Sequence, residues 1–139
     1  MNIRRATEAD QQLMSGLWQA FSREARYTPY PAAPFSPSLL AEHLGLLLED
    51  GREPVGCVYA NTHNDDFAFV FGLYVRPEMR RRGCARLLMR SVAEEAQNAG
   101  KGYIVLSVDT PNTAALALYE SLGFVDAART LRVEVRQLL

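Results

Sequence analysis

The sequence predicts an α/β domain with a mixed sheet of about seven strands flanked by about four helices, in the order β-α-α-β-β-β-α-β-α-β-β. Three observations carry this. FAFVFGLYV (67–75) and YIVLSV (103–108) are apolar almost throughout, as strands covered on both faces are. Between them, Ala85, Leu88, Met89, Val92 and Ala96 form one stripe of a helix over 82–99. Near the end, RVEVRQL alternates with the period of a half-buried strand.

Each element follows from local signals. Residues 3–6 suit a short first strand. Thr7 followed by Asp10 reads as a helix start, with Leu13, Leu17 and Phe21 recurring every four residues to about Ala25. YTPYPAAPFSP (27–37) holds four prolines and cannot be one helix. A short helix follows from Ser38 to Leu44. Leu46–Glu49 and Val55–Ala60 read as strands joined by an Asp50-Gly51 turn. Gly72, inside the apolar run 67–75, marks a bulge or a close backbone approach. Gly100 ends the helix over 82–99. Ala115, Leu118, Tyr119 and Leu122 give a further short helix ended by Gly123. Two last strands are expected near 124–130 and 131–137.

The chain has 139 residues, which suits a single domain over 1–139. Its net charge of -1 argues against nonspecific nucleic-acid binding. Cys57 and Cys84 form no C-x-x-C pair, and His43 and His63 are isolated in sequence, so no metal site is expected. No run of about 18 apolar residues suggests a membrane span. The N-terminus lacks the apolar stretch of a signal peptide. The expectation is a cytoplasmic protein with free thiols.

The informative block is LYVRPEMRRRGCARLLM (73–89), where a buried strand enters an arginine-rich turn and then a helix. The first N–H groups of a helix have no intrahelical partner and carry partial positive charge, which suits a diphosphate. Gly83 lets an anion approach the backbone, and Arg80, Arg81 and Arg82 add positive charge. The Gly-Lys-Ser/Thr of a P-loop is missing, as are the three glycines of a dinucleotide fingerprint, although Asp109 imitates the latter's ribose acid.

Arg80-x-x-Gly83-x-Ala85 resembles the Q/R-x-x-G-x-G/A loop of GNAT acetyltransferases, and DTPNTAALALYESLGF (109–124) resembles their second motif. The resemblance implies a GNAT-type sheet and an acetyl-CoA-dependent N-acetyltransferase without a metal. It implies that backbone amides of Arg81, Arg82, Gly83, Cys84 and Ala85 hold the pyrophosphate. It implies that the backbone of Leu73, Tyr74 and Val75 pairs with the pantetheine arm as an added strand would. Asn112 matches a side chain that contacts the pantetheine region, and Tyr119 matches the tyrosine that protonates the departing thiolate. Taken alone, Asn112 also suits a helix cap and Tyr119 a core position.

The resemblance places acceptor recognition between Phe21 and Leu44, where Tyr27, Tyr30 and Phe35 could form an aromatic wall or anchor the proline-rich segment. The expected acceptor is a small-molecule primary amine, with a protein N-terminus or lysine second; a homodimer stays open. The strand 67–75 holds no carboxylate for a general base, which leaves Glu24, Asp65, Asp66 and Tyr30 as candidates, acting directly or through water. That gap keeps open a catalytically degenerate acyl-CoA-binding module. A ping-pong role for Cys84 is disfavoured by its loop position.

Overall fold

The structure, a computed structural model, describes residues 1–24 and 34–139. These form two compact units, Met1–Leu106 and Ser107–Leu139. The first unit holds a five-stranded sheet in chain order: β1 (Asn2–Arg5), β2 (Leu44–Asp50), β3 (Glu53–Asn61), β4 (Phe67–Val75) and β5 (Tyr103–Val105). Neighbours are antiparallel except β4 and β5, which run parallel.

Helix α1 (Gln11–Glu24) packs Met14, Leu17 and Trp18 on the sheet face presenting Leu47, Cys57, Tyr59 and Tyr74. The short α2 (Ser38–Glu42) follows. Helix α3 (Cys84–Asn98) covers the opposite face, with Leu88 against Gly56. Successive strand residues point to opposite faces, so β3 serves both helices. This explains the unbroken apolar sequence of β4, as expected for a doubly covered strand. The same expectation for 103–108 is corrected: β5 is an edge strand with Tyr103 69% and Val105 37% exposed. Burial pushes the Cys57 thiol up to about 12, which leaves it an inert core group.

The start of α1 is built from its own side chains. The Thr7 N–H donates to the Asp10 carboxylate at 2.8 Å, and Arg4 donates two hydrogen bonds to the same carboxylate at 2.9 and 2.8 Å. Hydrogen bonding from Arg4 holds Asp10 down at about 2.

Gly72 takes φ 64° and creates the bulge that its sequence context predicts. Cys57 faces Tyr74 while Tyr59 faces Phe71, so β4 carries one extra residue there. A Cβ on Gly72 would lie 2.8 Å from the Tyr59 ring and 2.9 Å from the Trp18 ring. Glycine is therefore required by both conformation and space.

The strand count corrects the expectation of about seven. Among the described residues there are five, and the two terminal strands near 124–130 and 131–137 are absent. The second unit instead holds α4 (Thr113–Ser121) and a 3₁₀ turn at Val135–Leu138. Alternation marks a segment fit for a ladder, but a strand exists only where a partner supplies hydrogen bonds. Val125, Leu131 and Val135 are 84%, 87% and 72% exposed, so no apolar face is buried here. For the same reason β5 stops at Val105 instead of 108: its ladder with β4 covers only Phe67 to Phe69.

Candidate active site

Two features of the first unit arise from the end of β4. The edge of β4 facing β5 is paired only through Phe69, so Val70–Val75 have β3 on one side and an open ladder edge on the other. The segment includes Leu73, Tyr74 and Val75, and an extended chain could add to it.

The strand then turns through a 3₁₀ turn, Pro77–Met79, into the loop before α3. Arg81 has φ 61° and Gly83 φ 80°, both left-handed. Arg81 is the one described non-glycine residue there, an arrangement that stores strain and is typical of functional loops. Gly83 is the N-cap residue of α3, and no side chain caps the helix. A Cβ on Gly83 would meet nothing within 4 Å. Space does not demand glycine here; the left-handed backbone does. The first N–H groups of α3 are uncapped by any side chain, with open space beside Gly83, a donor set suited to an anion.

The loop side chains are less uniform than their run suggests. The Arg80 guanidinium donates to the Val75 carbonyl at 2.9 Å and to the Glu24 carboxylate at 2.5 Å, and lies 5.6 Å from the Tyr74 ring centre. Arg80 therefore fastens the end of α1 to the loop. Arg81 and Arg82 are exposed. The Cys84 thiol is 2% exposed and lies 3.6 Å from the Met1 sulfur, so it is a packed group and not a presented nucleophile.

In the second unit, Asn112 caps α4: its Oδ1 accepts from the Ala115 N–H at 3.1 Å. Its amide nitrogen is left as the group that can meet a ligand. Tyr119 is half-buried, with its ring 5.5 Å from Phe124. Burial pushes its phenol above the ordinary tyrosine value. A phenol so placed holds its proton at neutral pH, as a general acid must.

Among the general-base candidates, Glu24 is engaged by Arg80. Asp65 and Asp66 are exposed in the β3–β4 connection. Tyr30 and the acceptor candidate Tyr27 lie outside the described residues. Phe35 packs against the α1 core, the anchoring alternative of its sequence reading. Sequence reasoning missed the joining of Glu24, Arg80 and Tyr74, because no spacing rule connects residues 56 positions apart. It also missed that Arg23 and Arg76 line one cleft. Among the described residues, no group of three or more His, Cys, Asp or Glu side chains is placed to hold a metal ion, and no helix is long and apolar enough to cross a membrane.

An uncapped helix N-terminus behind a strained loop, beside a strand with an unpaired edge, is an arrangement suited to an anion and an extended chain. The acetyltransferase (GNAT) family model matches residues 11–124, and the chain belongs to that family. It is 42% identical over 62 residues to the [ribosomal protein bS18]-alanine N-acetyltransferase of Salmonella typhimurium; the match covers 45% of this chain and 42% of that enzyme, less than half its length. A ribosomal-protein-alanine N-acetyltransferase from Brucella melitensis biovar Abortus 2308 superposes with TM-score 0.81 at 17% identity, covering 96% of this chain and 99% of the other. The aminoglycoside N-acetyltransferase AAC(6')-Iy, bound to a CoA-containing bisubstrate analogue, superposes with TM-score 0.80 at 19% identity, covering 96% of each chain. These two likenesses establish the fold.

Proposed function

We propose that this chain is one acetyltransferase domain over 1–139 that moves the acetyl group of acetyl-CoA to a primary amine. The observation that carries the reading is the uncapped start of α3 behind left-handed Arg81 and Gly83. Amides of Arg81, Arg82, Gly83, Cys84 and Ala85 hold the pyrophosphate, and the free edge at Leu73–Val75 takes the pantetheine arm. Asn112 contributes its amide nitrogen to that arm. Arg80 lends its charge to the pyrophosphate site while its Nε and Nη2 hold the loop through Val75 and Glu24.

The amine attacks the thioester carbonyl directly. Most of the rate comes from placing the two reactants together, with backbone N–H groups of β4 polarising the carbonyl. Tyr119 donates a proton to the departing thiolate. The family match spans both units, from residue 11 to 124, which supports reading them as one functional domain.

The named relatives act on a ribosomal-protein alanine and on aminoglycosides, so they support an amine acceptor of either size class. A small molecule is preferred, recognised between Phe21 and Leu44 with Tyr27 and Tyr30 contributing. A second reading, an acyl-CoA-sensing module, rests on two observations: β4 has no carboxylate, and Glu24 is tied to Arg80. Thermal-shift screening with acetyl-CoA, NAD and ATP, followed by a CoA-release assay over an amine panel, separates these. Stabilisation by acetyl-CoA with turnover supports the enzyme, stabilisation without turnover the sensor, and stabilisation by NAD or ATP alone neither.

A further inference from the structure

A cleft of about 330 Å³ lies between α1 and the end of β4, on the sheet face opposite α3. Gly16, Leu17 and Ala20 of α1 line one side of it. Arg23, Tyr74, Arg76 and Glu78 supply its polar lining. The backbone of Arg76 is fixed, its N–H donating to the Val55 carbonyl at 2.8 Å. Its side-chain Nε is buried, yet has no hydrogen-bond partner among the described residues. A buried donor left without a protein partner is costly and is met by water, an ion or a ligand.

The neighbouring groups are uncommitted, and Arg23 is exposed at the cleft's rim. Among the described residues, Arg23 makes neither a hydrogen bond nor an ion pair, and the Tyr74 phenol has no hydrogen bond. Glu78 lies within 4 Å of neither arginine's nitrogens, and Glu24 at the same end of α1 is already taken by Arg80. The cleft thus sets two uncommitted guanidinium groups and a phenol against one carboxylate, for a net charge of about +1 at neutral pH. A planar, singly charged carboxylate matches that charge and the fork geometry of arginine.

We propose that this cleft binds the carboxylate of the acceptor, so that the accepted amines are amino acids or other amines bearing an acidic group. The inference rests on the acetyltransferase reading for the word acceptor; the carboxylate site itself does not. Tyr74 belongs to the strand segment assigned to the acyl donor, and its side chain is on the α1 face. An acceptor anchored there approaches that strand from the face opposite α3.

The test has two arms. In ¹⁵N-labelled protein, the Arg76 Nε–H resonance, assigned by its loss in Arg76→Lys, is followed while glutarate is added, with butylamine as control. A saturable shift with glutarate alone, weakened ~10-fold or more in Arg23→Gln, is expected for a charge-assisted contact. No saturable shift, or one unchanged in Arg23→Gln, overturns the site whether or not the protein transfers acetyl groups. In the second arm, acetylation of γ-aminobutyrate and butylamine is compared. The wild type should favour the carboxylate-bearing amine by ~10-fold or more in kcat/KM, falling toward parity in Arg23→Gln and Arg76→Gln. A preference that survives both substitutions overturns the acceptor assignment. Absence of CoA release with every amine, alongside a saturable glutarate shift, counts against the enzyme and leaves the carboxylate site standing.

Discussion

The two helices that follow the matched motifs start in opposite ways. Helix α4 is closed by its own Asn112, whose oxygen takes the Ala115 N–H. Helix α3 begins at Gly83 with no capping side chain and open space where a Cβ would be. A helix end whose donors are met internally is finished; one left open, behind a residue strained into positive φ, keeps a vacancy for an outside partner. The first turn before α1 behaves like α4, with Asp10 meeting the Thr7 N–H. Of these helix starts, only that of α3 has the form of a binding site.

The contrast breaks most sharply at Gly83. Gly83→Asp forces a side chain and a negative charge into the open donor set, and acetyl-CoA affinity should fall ~100-fold or more by calorimetry. Unchanged affinity in a folded variant would mean that the α3 N-terminus is not the pyrophosphate site. Next in size is Tyr119→Phe, which keeps the ring against Phe124 and removes the proton. General acids contribute ~10²–10⁴-fold, so kcat should drop at least ~10-fold with acetyl-CoA affinity nearly intact. Full kcat where chemistry limits the rate would make Tyr119 a packing residue.

Smaller effects sharpen the comparison at the closed ends. Asp10 titrates near 2 in the folded chain against 3.8 for the free group. A depressed folded value gives stability that is fully present above the unfolded value and lost as pH falls through the folded one. Thermal unfolding should therefore lose about 1–2 kcal/mol between pH 4 and 2, and Asp10→Asn should flatten that window. Asn112→Ala should cost about 1 kcal/mol of stability through the lost cap, with acetyl-CoA affinity falling less than ~5-fold. A loss as large as that of Gly83→Asp would show that Asn112 serves the ligand first. Arg81→Gly should be stabilising by up to about 1 kcal/mol, since it relieves a left-handed side chain at some entropic cost.

The sequence alone reached much of this and stopped where local signals stop. The apolar run located β4 and the helical stripe located α3 within a few residues, whereas the run at 103–108 marked β5 but not its exposed edge position. Gly72 announced its bulge, since neither Tyr59 nor Trp18 leaves room for a side chain. The loop arginines were legible as a cluster but not as individuals: that Arg80 faces Glu24 and Tyr74 depends on how α1 docks, which spacing does not encode. RVEVRQL shows the limit most clearly, with a strand's pattern and no partner to complete it. The cleft residues Arg23 and Arg76 carried no signal, because a cleft is made by two elements and neither reports the other.

The bulge at Gly72 has an optical consequence. The chain's single tryptophan, Trp18, lies 9% exposed directly beneath it, edge-on to Tyr59 at 5.4 Å and 6.3 Å from Phe71. Tyrosine at such range passes its excitation to the indole, and the indole emission follows the polarity of its surroundings. The protein therefore carries an intrinsic fluorophore under the strand segment proposed to take the acyl donor. Emission colour and quenching by iodide can follow, without any label, how tightly α1 sits on that strand.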